Sequence, residues 1–201
     1  MTSHDSFPLY SLDSDEEGLD SRQLEVLSVL SEDGSTVYSF QGLRRKLGLH
    51  QEMLSRTLDR LEDQDLVVKT NDGYRVNPNK CASHFEFNVE MAPIETEVVT
   101  ARLPIEVNTS LILSTLKGRW FREFRWLGYS AVQSELTMSW ISENGEIQLR
   151  VRILNSNLTI SAIYQSETNR EKATTSAFEL FNFINRAMKK KLTPFRHQIP
   201  N

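Results

Sequence analysis

FQGLRRKLGLHQEMLSRTLDRLEDQDLVVKTNDGYRVN, residues 40–77, decides how this chain is read. Ser39, just before it, suits a helix N-cap, because its hydroxyl can accept from the free N–H groups of a first turn. Phe40, Leu43 and Leu47 then fall on one face of a helix. Gly48 follows, and glycine takes the left-handed conformation that ends a helix at least cost. Leu49 is a natural buried residue of the turn. From about His50 to Asp63, the spacing of Leu54, Leu58 and Leu61 predicts another helix. Leu66–Thr70 and Tyr74–Val76 read as short strands around Asn71-Asp72-Gly73, a strong hairpin signal. Pro78 closes the unit. Upstream, Asp20 with Gln23 three residues on makes a capping box. Leu24, Leu27 and Leu30 carry the helix it opens, Gly34 marks the exit, and Thr36–Tyr38 suit a short strand.

Three helices, a Gly turn between the second and third, and a hairpin directly after the third form one pattern. Its core, L-x-x-x-L-G-L-x-x-x-x-L-x-x-x-L-x-x-L followed by a wing, resembles winged helix-turn-helix transcription regulators of the broad MarR/ArsR type. It is also similar to winged-helix regulators of archaea. The resemblance covers residues 20–78 and identifies a fold more than one family. It implies a DNA-binding regulator whose third helix enters the major groove of double-stranded DNA, with the second helix and the wing on phosphates. It further implies a homodimer reading two half-sites.

Taking the third helix at 100° per residue, Glu52, Ser55, Arg56, Asp59 and Asp63 face away from Leu54. Gln51, Ser55 and Arg56 are the candidates for base edges, since Gln pairs with adenine, Arg with guanine and Ser with either. Arg44, Arg45 and Lys46 on the second helix, Arg60 on the third, and Lys69 and Arg75 around the wing tip are the candidates for phosphate. The acids on the third helix keep a second reading open. In it the same scaffold is a protein–protein adaptor in a multi-subunit assembly, because fold alone does not fix function.

Charge bears on that choice. The chain has 23 Lys and Arg against 27 Asp and Glu, a net charge of −4. Residues 1–19 hold −5, residues 20–80 hold −1, and residues 81–201 hold +2. The acidity therefore sits in the first 19 residues, read as a disordered tail, and any basic footprint has to be a local patch. The single Cys81 excludes an internal disulfide framework and fits a reducing, cytoplasmic compartment. No apolar run is long enough to span a bilayer.

Residues 79–192 read as a second, α+β domain. Strands are expected at His84–Met91 and Val98–Leu103, then a helix over 105–117. Four strands follow, at Arg119–Leu127, Ser134–Ile141, Glu146–Leu154 and Asn157–Tyr164. The short turns at Glu143-Asn144-Gly145 and Asn155-Ser156 make this an antiparallel meander. A long helix from about Asn169 to Lys191 packs on it, and residues 193–201 form an extended tail. In Arg119–Leu127, alternation puts Trp120, Arg122, Phe124 and Trp126 on one face. Trp126 and Trp140 read as core. The opposite face, with Arg119, Arg125, Gln148, Arg150, Arg152, Thr159 and Ser161, reads as open and polar, suited to dimerisation or a partner. An effector pocket near Trp120 and Phe124 is the third option.

Enzymatic chemistry is not indicated. His4, His50, His84 and His197 are scattered, and the chain carries no HExxH, no phosphate-binding Gly-rich loop and no G-x-S-x-G. The expectation is no catalytic residue, no metal and no cofactor.

Overall fold

The computed structural model describes residues 18–80, 93–104, 108–188 and 194–197. Cys81, the strand expected at His84–Met91 and the lysines at 189–191 lie outside them. Helix α1 (Ser21–Ser31) opens on Asp20, whose carboxylate accepts from the N–H groups of Arg22 and Gln23, and the Gln23 side chain closes the capping box. Leu27 and Leu30 are fully buried, and Val26 joins them while Leu24 stays half exposed. After the two-residue strand β1 (Val37–Tyr38), Ser39 caps α2 (Phe40–Leu47). Gly48 ends α2 at φ 64°, and α3 (Gln51–Asp63) follows with Leu54, Leu58 and Leu61 fully buried. Each such leucine stabilises the fold by about 1.5–3 kcal/mol. Strands β2 (Val67–Thr70) and β3 (Gly73–Val76) make the expected hairpin.

The second half runs β4 (Ile94–Arg102), α4 (Thr109–Leu116), β5 (Phe124–Val132), β6 (Glu135–Ser142), β7 (Ile147–Leu154), β8 (Asn157–Tyr164), a 3-10 turn (Glu167–Asn169), α5 (Arg170–Ala187) and β9 (Pro194–His197). The architecture is α+β, with every strand pair antiparallel. One face of the sheet is covered by α4 and α5. Leu136, Met138, Trp140, Leu149, Val151 and Ile153 point into that core, as alternation predicts, and meet Ala173, Ala177, Leu180, Phe181 and Ile184 of α5. Trp126 sits edge-on to Trp140 at 5.1 Å between ring centres.

The two halves share one sheet of nine strands, in the order β2-β3-β1-β5-β6-β7-β8-β4-β9. The joint is β1, which pairs with β3 on one side and with β5 on the other. The Ser39 N–H donates to the Leu127 carbonyl at 2.7 Å and the Ser39 hydroxyl to the Trp126 carbonyl at 2.8 Å. A bulge between Trp126 and Gly128 brings Tyr129 opposite Met138, and Leu127, next along the strand, faces away from Trp126. There Leu127 and Ile141 join the core of the first half. So part of the sheet face expected to be open is covered by the protein's own first 80 residues.

The strand expected at Arg119–Leu127 is displaced. Gly118 (φ 72°) and Arg122 (φ 49°) both have positive φ, and the N–H and carbonyl groups of Phe121 and Phe124 exchange hydrogen bonds across a tight turn. The strand therefore starts at Phe124. Phe121 turns into the core against Phe183, with ring centres 5.5 Å apart, and Trp120 turns out to solvent. Phe124 is buried against Phe121 at 5.9 Å, so packed rings occupy the place proposed for an effector pocket. Among the described residues no helix is long and apolar enough to cross a membrane.

Candidate nucleic-acid interface

Helix α3 packs on α1 and β2 through its leucine face. Gln51, Glu52, Arg56, Asp59 and Arg60 are exposed on its other side, and Ser55 is half exposed. The turn before it sets its direction: the Leu49 N–H donates to the Arg44 carbonyl at 3.1 Å, around the left-handed Gly48. Glu52 lies in the first turn and Arg60 in the last, where the helix dipole favours each charge. Glu52 pairs with Arg56 at 2.5 Å. Both are exposed, and an exposed pair one turn apart is weak and screened by salt. Releasing Arg56 from that pair therefore costs little.

A cleft of about 560 Å³ between α1 and α3 is lined by Asp20, Arg22, His50, Glu52, Met53, Arg56, Thr57 and Arg60. Arg60 reaches the α1 cap, Asp20, at 3.3 Å, and Arg22 donates to the Met53 sulfur. Three arginines therefore share one groove against two acids. Sequence reading missed Arg22. Its signal is a cation in the first turn of a helix, where the dipole prefers an anion.

The second helix contributes less than expected. Lys46 is only 17% exposed; its Nζ bonds Glu32 at 2.5 Å and Gln148 at 3.2 Å. It joins the two halves and is not available to phosphate. Arg44 and Arg45 are half exposed at the same seam. The Arg45 guanidinium donates to the Gln41 carbonyl at 3.0 Å. Burial first, then the like charges of Arg44 and Arg125, hold Arg45 below the ordinary arginine pKa, with Glu143 opposing them. Lys69 and Arg75 do not form one patch. Lys69 pairs across the hairpin with Tyr74, and Arg75 with Val68, so the two side chains leave opposite faces. Lys69 lies over the Tyr74 ring, 5.8 Å from its centre, and Arg75 is exposed.

The hairpin tip is tied to the second half. Asp72 pairs with Lys117 at 2.5 Å and accepts from the Tyr129 hydroxyl at 2.8 Å. The hydrogen bond from Lys117, then that from Tyr129, lowers the Asp72 pKa. A lowered carboxylate pKa means that the tether is fully present above the ordinary aspartate range and is lost as pH falls through the folded value. An NMR titration of the Asp72 carboxyl should give a midpoint below that of an ordinary aspartate, and Lys117→Met should raise it. A midpoint already in the ordinary range would exclude the tether.

Among the described residues, no group of three or more His, Cys, Asp and Glu is placed to hold a metal ion. No family model matches the sequence, and no curated protein matches it either.

Proposed function

We propose that the chain is a DNA-binding transcription regulator built on a winged helix-turn-helix over residues 20–78. The remainder would serve dimerisation, effector sensing or partner binding. The observation that carries this reading is the bare face of α3. Its first turns offer Gln51, Ser55 and Arg56 to solvent, and the N-terminal part of such a helix is the part that reads base edges. Phosphate contacts fall to Arg22 on α1 and Arg60 on α3, to Arg44 and Arg45, and to Lys69 or Arg75 at the hairpin.

Duplex binding is expected to weaken steeply with salt, in proportion to the phosphates neutralised. Arg75→Ala should reduce the slope of log K against log salt by about one. Arg56→Ala should cost about 1–3 kcal/mol and relax the preference for one base pair. A protein without duplex affinity at low salt would end this reading.

A specific observation favours a second reading, a winged-helix adaptor between proteins. Asp59, Glu62, Asp63 and Asp65 are all exposed along and just beyond the C-terminal half of α3, and they repel a phosphate backbone. A complex that survives nuclease and dissociates on Asp59→Lys with Asp63→Lys would favour the adaptor.

A further inference from the structure

The three guanidiniums of the α1–α3 cleft are open to solvent. The Arg56 side chain is 72% exposed and that of Arg60 67%, against 17% for Lys46 in the seam. Arg56 gives an N–H to Glu52 and Arg60 gives one to Asp20, and a guanidinium has five to give. Arg22 donates to the Met53 sulfur, a weak acceptor. It does so from the first turn of α1, where the helix dipole prefers an anion. The cleft is therefore suited to an anion that brings several carboxylate or phosphate oxygens at once.

The chain carries such an anion directly beside it. Leu19 packs on the first core and fixes where the chain enters α1, and Asp20 lines the cleft. Immediately before Gly18 stands Asp13-Ser14-Asp15-Glu16-Glu17, four acids in five residues, and residues 1–17 hold no Lys or Arg. Five residues of extended chain reach about 17 Å. Asp20, two residues on from Gly18, already touches Arg60 at 3.3 Å, and Arg56 lies one helical turn from Arg60, about 6 Å along α3. All three arginines are thus within reach. An exposed ion pair is weak alone, but a short tether holds its partner at an effective concentration of about millimolar.

We propose that residues 13–17 dock in the α1–α3 cleft and hold it against phosphate. The carboxylates of Asp13, Asp15, Glu16 and Glu17 pair with Arg22, Arg56 and Arg60, and a duplex has to displace them. The competition rests on the duplex reading of α3, whereas the docking stands without it.

The test compares the full chain with the same chain carrying Asp13→Asn, Asp15→Asn, Glu16→Gln and Glu17→Gln. Met53 lines the cleft, so its carbon-13-labelled methyl group, assigned by its loss in Met53→Leu, reports occupancy without DNA. At low salt the Met53 resonance should differ between the two proteins. At 1 M salt, where the screening length is about 3 Å, the two should coincide. Glu167→Gln with Glu171→Gln removes two exposed acids from the second half and should leave the resonance in place. Duplex affinity at low salt should be about fivefold higher in the protein with the neutral segment, the upper value for one exposed ion pair, and the gain should shrink as salt rises. The proposal is overturned if both proteins share one Met53 resonance at low salt, or if the resonance differs and the duplex affinities are equal. A Met53 difference with no duplex binding by either protein upholds the docking and removes the duplex reading.

Discussion

Gly128→Ala is expected to destabilise the protein by about 3 kcal/mol, a fall of about 6–12 °C in melting temperature for a chain of this size. The cause is the close approach of β1. A Cβ at Gly128 would stand 2.4 Å from the Val37 carbonyl oxygen and 3.0 Å from the Tyr38 Cα. Both are backbone atoms of a paired strand, so neither can swing aside. The clash opens the joint between β1 and β5, and with it the bonds from Ser39 to Leu127 and Trp126. Gly34→Ala supplies the control. Its Cβ would meet the Val76 Cγ1 at 3.5 Å, an ordinary contact, and its φ is not in the left-handed region. That variant should melt within a degree or two of the wild type, as expected for a contact without overlap. If Gly128→Ala melted there too, the close seam would be wrong.

Trp140→Ala is expected to cost more, about 3–5 kcal/mol. Trp140 is fully buried, lies edge-on to Trp126 and donates from Nε1 to the Arg119 carbonyl at 2.9 Å. Truncation opens a cavity at the centre of the main core and leaves that carbonyl without its donor. It is also the informative partner of Gly128→Ala, because the two act in different cores. If the continuous sheet makes the chain one cooperative unit, both variants shift a single unfolding transition seen alike by every probe. Should Trp140→Ala instead split the transition in two, with the α1–α3 helices melting at the wild-type temperature, the halves would be thermodynamically separate despite the shared sheet.

What was legible in the sequence was local. The Asp20–Gln23 box, the Ser39 cap, the left-handed Gly48 and the hairpin at Asn71–Gly73 depend on chemistry within a few residues. The inward faces of β6, β7 and α5 followed from alternation and helical period. The seam was not legible. Strand β1 has two residues, too few for a pattern, and the Ser39–Trp126 bond joins residues 87 apart. The positive φ at Arg122 breaks the alternation that was used to assign faces in the Arg119–Leu127 run, so that Phe121 packs inward and Trp120 faces out. Lys46 shows the cost for the site. It reads as a phosphate ligand by its neighbours in sequence, yet its Nζ is engaged by Glu32 and Gln148 from two different elements. Burial of that kind is set by tertiary contacts and leaves no local mark.

The order of strands also bears on how two copies can meet. In the described residues both outermost strands of the sheet are short: β2 and β9 have four residues each. The long strands, β4 to β8, all have neighbours on both sides. The two end strands therefore offer only short ladders, whereas, among the described residues, β4 and β5 are covered on their outer sides only at Val99–Ala101 and at Gly128–Tyr129. A dimer built on either end strand would gain few backbone bonds, so its strength should respond to point substitutions on helices and sheet faces more than to changes in those strands.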